Sequence, residues 1–411
     1  MRDVDVIVAG GGMAGLLTAL TLARRGVHVV LVEPSRLGAG QSGQSHGYLH
    51  RGYAYGPDEP RLPALLASAR QHWQGLLEEI RPVTDRSTVA FSEPAAVRRA
   101  ERYWRESGLD VVPQPTPGWL TDTSVACFGS AEPTYNVGDI LRGLGVQADA
   151  AGIEVCRGAV ERVEQSGDGV RVRATGTDSG TQLLHARTAV LAAGAGTPGL
   201  LVRSRLPAVV QLRQALMLVL RGRLPAVSAL FPGQEEHGLF LASRVAADGR
   251  STWLVSDFQS FDSGGRDVGQ LAGWWARRAL LTLRRVVAAA VLARVDSVSG
   301  YTAIKSGLLP SSGTVAHEFG IQLLDGRVVV ACPSKLTLAP LAARSTADVV
   351  AVRLGLRPGD GGWDPVTPVP PHRSTARESW ETPMAALEHP DLLGELPRIG
   401  TLSELYRRVP A

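Results

Sequence analysis

Residues 4–33 constrain the fold more than any other stretch of the chain. Val4-Asp5-Val6-Ile7-Val8-Ala9 is a near-continuous apolar run rich in β-branched residues, the pattern of a parallel strand buried on both faces. Gly10-Gly11-Gly12-Met13-Ala14-Gly15 follows at once. Residues 16–25 then carry Leu17, Leu20 and Ala23 or Arg24 at helical spacing, and Gly26 supplies a stop. Residues 27–32 read as a second strand, which ends in Glu33. This is GxGxxG between a strand and a helix. Gly10 makes the turn, Gly12 lets a pyrophosphate approach the backbone, and Gly15 lets the helix pack on the strand. The helix N-terminus favours an anion. Glu33 can accept from ribose hydroxyls and argues against a 2′-phosphate. The spacing predicts a dinucleotide site contacted by Gly10, Gly12, Met13, Ala14, Gly15 and Glu33, with Pro34 and Arg36 beside it.

Composition narrows the class. The 411 residues allow two to three domains, and 44% hydrophobic with 20% charged residues excludes a disordered chain. A net charge of +4 does not argue for nucleic acid. Cys127, Cys156 and Cys332 form no CxxC, and His28, His72, His185, His237, His317, His372 and His389 are scattered with no ligand spacing, so neither a disulfide framework nor a metal site is expected. No apolar run approaches a membrane span, the first strand leaves no room for a targeting segment, and a cytoplasmic location is the simplest expectation.

A later region separates FAD from NAD. Residues 157–164 and 169–174 alternate as strands about the turn Gly167-Asp168-Gly169. Ala189-Val190-Leu191-Ala192-Ala193-Gly194-Ala195-Gly196 is then a buried strand ending in small residues. A β-meander is inserted where a simple NAD dehydrogenase would run strand–helix–strand. That is the layout of two-domain flavoproteins, and here the chain resembles the D-amino acid oxidase-like (DAO) family of FAD-dependent oxidoreductases over most of residues 1–350. The most specific part is Ser42-Gly43-Gln44-Ser45-His46-Gly47-Tyr48-Leu49-His50-Arg51-Gly52-Tyr53-Ala54-Tyr55. It looks like the family segment that passes the flavin pyrophosphate and ring, above all in L-2-hydroxyglutarate oxidases, with His46 and Arg51 where small residues are usual. Residues 65–79 and 134–144 look like family helices. Residues 326–340 resemble the last FAD strand and the loop under the flavin, with Ser334-Lys335 in place of Asn-Gly. The resemblance implies an FAD cofactor held also by Ser42, Gly43, Gln44, Ser45, Val160, Ala193, Gly194, Ser334, Lys335, Leu336 and Thr337.

In such proteins the flavin does the redox work and the protein supplies orientation and electrostatics. Only two lysines occur among 43 basic residues, and both fall in segments expected at the flavin. Lys335 precedes a helix and is expected to place a cation near flavin N1 and C2=O, the alternative being a solvated loop lysine. Tyr301 and Lys305 fill positions where the family often has an aromatic residue and, four residues on, an arginine that clamps the substrate carboxylate. A lysine cannot make the planar fork, so the acid is held less strictly or has been lost. Surface placement of Lys305 is the plainer alternative. His50 is the expected acid/base, or a residue that only hydrogen-bonds the chain near the flavin. Covalent flavin attachment at His46 is a lesser alternative. Residues 270–294 read as one long helix with Trp274, Leu281 and Ala288 on its apolar face. Arg277, Arg278, Arg284 and Arg285 then form a solvated basic face, and a membrane-surface role is the lesser reading.

The expected fold is α/β, α+β overall. It combines a Rossmann-type FAD domain (1–75, 135–205, 300–355) carrying the inserted meander with a mostly antiparallel substrate domain (76–134, 206–299). Residues 356–411 read as a Pro/Gly-rich linker and tail, with a docking helix at 402–408. The expected reaction removes a hydride from a C–N or C–OH carbon of a small amino acid or 2-hydroxy acid, with oxygen or another acceptor reoxidising the flavin. A biosynthetic tailoring oxidase acting on a larger or non-acidic substrate, and a flavin-binding protein without turnover, are the alternatives. Aromatic hydroxylases fit less well, because their late Gly-Asp flavin motif is not found.

Overall fold

The computed structural model describes residues 2–56, 59–176, 180–232, 238–245, 250–257, 268–309, 318–359 and 363–368. The first half of the chain runs β1 (Arg2–Ala9), α1 (Met13–Arg24), β2 (Val29–Glu33), α2 (Leu62–Leu76), β3 (Ser87–Phe91), α3 (Pro94–Glu106), β4 (Val112–Gln114), β5 (Ala126–Ser130) and α4 (Val137–Ala150). The meander β6 (Glu154–Ser166), β7 (Gly169–Gly176) and β8 (Gly180–Leu191) follows, then α5 (Thr197–Arg203). Next come β9 (Val210–Gly222), β10 (Ser228–Phe231), β11 (Leu239–Val245), β12 (Ser251–Asp257), α6 (Val268–Val286) and α7 (Ala289–Leu292). The described elements close with β13 (Val295–Leu308), β14 (Gly320–Leu324), β15 (Val328–Cys332) and α8 (Ala339–Arg353).

Alternation along β1 explains its burial on both faces. Val6 and Val8 join the core under α1, α4 and α8, while Ile7 and Ala9 join the core under the meander and α5. β1 pairs parallel with β2 and with β8, β6 extends the ladder beyond β2, and β15 pairs parallel with β8. β14 is the antiparallel edge. β6, β7 and β8 form the antiparallel meander, so β8 serves two layers in turn.

The second sheet has the order β13-β9-β12-β11-β10-β3-β5-β4. Its neighbours are antiparallel except for the parallel pair β10–β3. One face packs Leu218, Leu220, Leu241 and Trp253 against Trp275, Leu280 and Leu283 of α6. The other face meets α3 and the segment around Tyr48 through Val89, Phe91, Leu230 and Phe240. The fold is therefore mixed α/β with two sheets, as expected.

Three expectations need correction. The boundary at residue 300 cuts β13, which lies wholly in the second sheet as the antiparallel partner of β9. The helix expected over 270–294 ends at Val286, where Val287 bridges to Leu120 and the Ala288 N–H donates to the Trp119 carbonyl at 3.0 Å. Its apolar face is also rotated. Trp275, Ala276, Ala279, Leu280 and Leu283 are buried, whereas Leu281 is 41% exposed. The Trp274 and Arg277 side chains lie outside the described residues. Lastly, residues 363–368 are a docked strap rather than a free linker. Val366 is fully buried, its N–H donates to the Leu76 carbonyl at 2.7 Å, and Gln147 donates to the carbonyls of Asp364 and Pro365. The expected docking helix at 402–408 lies outside the described residues. No described helix is long and apolar enough to cross a membrane. Among the described residues no three potential ligands cluster as a metal site.

Candidate active site

The turn between β1 and α1 is built by close approach. Gly10 has φ 108°, and a Cβ there would sit 2.5 Å from the Ala192 carbonyl oxygen at the end of β8. A Cβ on Gly15 would sit 1.9 Å from the Gly10 oxygen. These contacts set Ala193 and Gly194 beside the turn. Gly12 caps α1 without a side-chain bond, and a Cβ on it would meet only Ser42 Oγ, at 3.2 Å. The Met13 N–H donates to Ser42 Oγ at 2.9 Å, and the Gly11 N–H donates to Glu33 Oε2 at 2.8 Å. The glycine turn, the helix start, the β2 carboxylate and Ser42 thus converge. Pro34 is exposed and Arg36 half-buried just beyond β2. Val160 stands apart: it lies beyond the last β2–β6 pair, Glu33 with Arg157, and packs against the core beneath the meander.

Residues 41–45 pass from α1 to β13. Gln41 Oε1 accepts from the Ser306 N–H and hydroxyl at 3.1 Å each, and the Tyr301 hydroxyl donates to the Gln44 carbonyl at 2.8 Å. Tyr301 therefore anchors this loop with the hydroxyl that chemistry would need. The segment then turns under β11. His46 stacks on Phe240 with centroids 5.5 Å apart, and His50 stacks on Tyr48 at 5.0 Å with Phe240 edge-on to it. The His50 N–H donates to Thr337 Oγ1 at 3.0 Å, tying this segment to the loop after β15. Lys335, in that loop, holds its Nζ 4.7 Å above the Tyr55 ring.

Electrostatics draws the two lysines and the two histidines into one centre. Burial, with Lys305 and Arg244 facing it, pulls the His46 imidazole down to about 3. Burial and the cationic neighbours hold His50 well below the usual histidine range. Burial, with Lys305 nearby, pulls the Lys335 ammonium down to about 7 despite Glu59, while burial lowers Lys305 and Asp257 opposes the shift. Both lysines keep some solvent-accessible surface, yet protein walls surround their ammonium groups, so desolvation dominates.

Two members of this centre carry no motif. Arg244 of β11 is buried, and it donates to the His46 and Ser243 carbonyls. Its only signal is a charge inside the apolar run Leu239–Val245. Glu132 is fully buried beyond β5 and accepts from the Arg51 N–H at 2.5 Å and the Gly52 N–H at 3.2 Å. Burial pushes its carboxyl up to about 7 against those hydrogen bonds.

The residues present fit FAD. The α1 N-terminus is open at Gly12, and Glu33 ends β2 with a carboxylate. Across the centre, Ser334 adopts φ 57° and buries a hydroxyl that has no hydrogen-bond partner among the described residues. A buried hydroxyl left unmet costs about 1–3 kcal/mol, which is the signature of a contact completed by a bound group.

Comparison with known proteins agrees. The FAD-dependent oxidoreductase PA4991 of Pseudomonas aeruginosa is 28% identical over 417 residues, covering 93% of this chain and 99% of that protein. Its crystal structure superposes with TM-score 0.63 at 24% identity, over 92% of this chain and 98% of that one. Glycine oxidase from Geobacillus kaustophilus superposes with TM-score 0.65 at 18% identity, covering 86% and 95% of the two chains. L-alpha-glycerophosphate oxidase from Mycoplasma pneumoniae, with FAD bound, gives TM-score 0.65 at 14% identity over 90% and 97%. The profile of the family described as "DAO: FAD dependent oxidoreductase" matches residues 5–349. A match of that extent, over a fold and a glycine turn suited to FAD, makes this chain a member of the DAO family of FAD-dependent oxidoreductases.

Proposed function

We propose that the enzyme oxidises the C–N or C–OH bond of a small amino acid or 2-hydroxy acid. The observation that carries this reading is the gathering of Lys305, Arg244 and the partly charged Lys335 beside the neutral imidazoles of His46 and His50, with His46 stacked on Phe240 and Lys335 above Tyr55. Such a setting favours an anionic substrate. Similarity in fold to both a glycine oxidase and an L-alpha-glycerophosphate oxidase keeps hydroxy compounds beside amino acids as candidates.

Gly10, Gly12, Met13, Ala14, Gly15, Glu33 and Ser42 would hold the nucleotide half of FAD. Pro34 and Arg36 would flank it, with Ala193 and Gly194 behind. Gly43, Gln44, Ser45, Ser334, Lys335, Leu336 and Thr337 would hold the flavin half. Bound FAD supplies the hydride acceptor, and oxygen or another acceptor restores it. Lys305 binds the substrate carboxylate as a point charge rather than a fork. Its partner Asp257 is buried and accepts from the Trp275 indole at 3.2 Å, which fixes the carboxylate facing it. Lys335 Nζ, at about 7, holds or releases a proton near neutral pH, so it can meet negative charge that develops beside it or take the substrate proton. His50 stands neutral between Tyr48 and Phe240, and the burial that keeps it neutral makes it a weak base, so its ring shapes the reacting space rather than taking the proton. Tyr301 positions residue 44 through its hydroxyl.

The test is the visible spectrum of the holoenzyme without oxygen, titrated in turn with 2-hydroxy acids, D- and L-amino acids and N-methyl amino acids. Bleaching of the yellow colour by one class supports the reading and names the bond broken. A yellow protein that none of them bleaches refutes the small-acid substrate and favours the larger-substrate oxidase.

A further inference from the structure

The chain from His50 to Tyr53 bridges the two halves of the molecule. On one side the His50 N–H hangs from Thr337 Oγ1, in the loop after β15. On the other side the next two N–H groups, of Arg51 and Gly52, point at a single oxygen, Glu132 Oε1. Successive N–H groups aimed at one point form a nest, a backbone concavity that favours an anion. Here the anion is internal. Glu132 is itself held: its carbonyl accepts from Ser87 Oγ at 2.7 Å, and its Oε2 accepts from Ser130 Oγ at 3.5 Å. Ser87 and Ser130 lie on the paired strands β3 and β5, so the carboxylate rests on rigid sheet. Gly52 has φ 116°, a conformation in which a side chain is strained, so glycine is the residue that lets this turn present both N–H groups to one acceptor.

We propose that Glu132 is the positioning residue of the active centre, its carboxylate fixing the Arg51–Gly52 turn and thereby the setting of the His50 ring against Tyr48 and Phe240. This rests on the reading of His50 as part of the reacting centre. The arrangement explains a costly feature. A fully buried carboxylate with no direct salt bridge among the described residues is expensive unless hydrogen bonds satisfy it, and here backbone donors do so. It also faces the phenols of Tyr48 and Tyr55, helping to keep both protonated and able to donate.

The test uses the FAD-loaded enzyme with Glu132→Gln and Glu132→Ala. The readout is the imidazole NMR signal of His50, assigned by loss of that signal in His50→Gln, followed from pH 5 to 9 without substrate. In Glu132→Ala the His50 signal shifts and broadens while FAD stays bound. Glu132→Gln keeps an acceptor for the nest and restores a sharp signal near the wild-type position. With a substrate that bleaches the flavin, Glu132→Ala lowers kcat at least tenfold with KM little changed, and Glu132→Gln recovers most of it. A His50 signal in Glu132→Ala superposable on the wild-type one overturns the proposal. Should Glu132→Ala not fold, Glu132→Asp draws the acceptor one methylene away from the nest, and a His50 signal there superposable on the wild-type one overturns the proposal equally. Because the imidazole is read without substrate, a wrong substrate class leaves this result standing.

Discussion

Two alanine substitutions three residues apart separate the fold of the nucleotide turn from its binding role. In Gly15→Ala the new Cβ would lie 1.9 Å from the Gly10 carbonyl oxygen, well inside any real contact. Relief requires roughly 1 Å of separation between α1 and the β1 turn, an overpacking strain of about 1–3 kcal/mol. In Gly12→Ala the Cβ meets only Ser42 Oγ at 3.2 Å, and φ −75°, ψ −178° is extended backbone that alanine adopts freely. The apoprotein therefore tolerates Gly12→Ala, yet the methyl stands where the pyrophosphate should approach. Losing one charge-assisted hydrogen bond there costs about 1.5–3 kcal/mol, or roughly 10- to 150-fold in FAD affinity. The assay is thermal melting of each apoprotein together with FAD titration by quenching of flavin fluorescence. Gly15→Ala should lower the apoprotein Tm by about 2–6 °C and weaken FAD as well. Gly12→Ala should leave Tm within about 1 °C and weaken FAD alone. Gly12→Ala that binds FAD within about threefold of wild type would refute placement of the pyrophosphate at this helix end.

Other consequences are open to measurement. Lys335 falls from 10.5 to about 7 on folding, so the unfolded chain binds more protons between those values; apoprotein stability should rise with pH across that window, and Lys335→Met should flatten the rise in a series of melts. Tyr301→Phe removes the donor to the Gln44 carbonyl, worth about 0.5–1.5 kcal/mol, and should speed FAD release about 2- to 12-fold in stopped-flow dilution. Val366→Ala should cost about 1–2 kcal/mol in urea unfolding, because the side chain is fully buried against α4; an unchanged midpoint would show that the strap is not docked.

The first nucleotide unit was legible because everything that makes it is local. A buried strand, a glycine turn, a helix with its stop and a carboxylate at the next strand end all fall within residues 4–33. The meander was legible for the same reason, since β6, β7 and β8 follow one another through short connections. Long-range pairing was not. β13 reads as the start of the returning FAD unit by order along the chain, but 13 of its 14 residues pair with β9, about 85 residues earlier, and the second sheet takes it. The α6 face was misphased because residues 272–276 are apolar or small on every side, so helical period alone could not choose which tryptophan turns inward. The sheet under Leu283 chooses Trp275. In the active centre, both lysines and His50 stood out by type and by family resemblance. Arg244 and Glu132 did not, because a buried charge is recognised by what surrounds it, and their surroundings come from chain segments 80 to 200 residues away.

β15 slots beside β8 although almost 140 residues separate them, and α8 then covers α1 from the far end of the chain. The parallel sheet is thus an early half waiting for a late half. While a ribosome is still making the second sheet, β8 lacks one lateral neighbour, and the apolar face of α1 lacks Ala339, Ala343, Ala347 and Val350. Nascent chains shorter than about 350 residues therefore present a glycine turn with half its scaffold missing. Full cofactor capture waits until β15 and α8 have joined β8 and α1, and chaperones that shield unfinished sheet edges would meet this protein through β8.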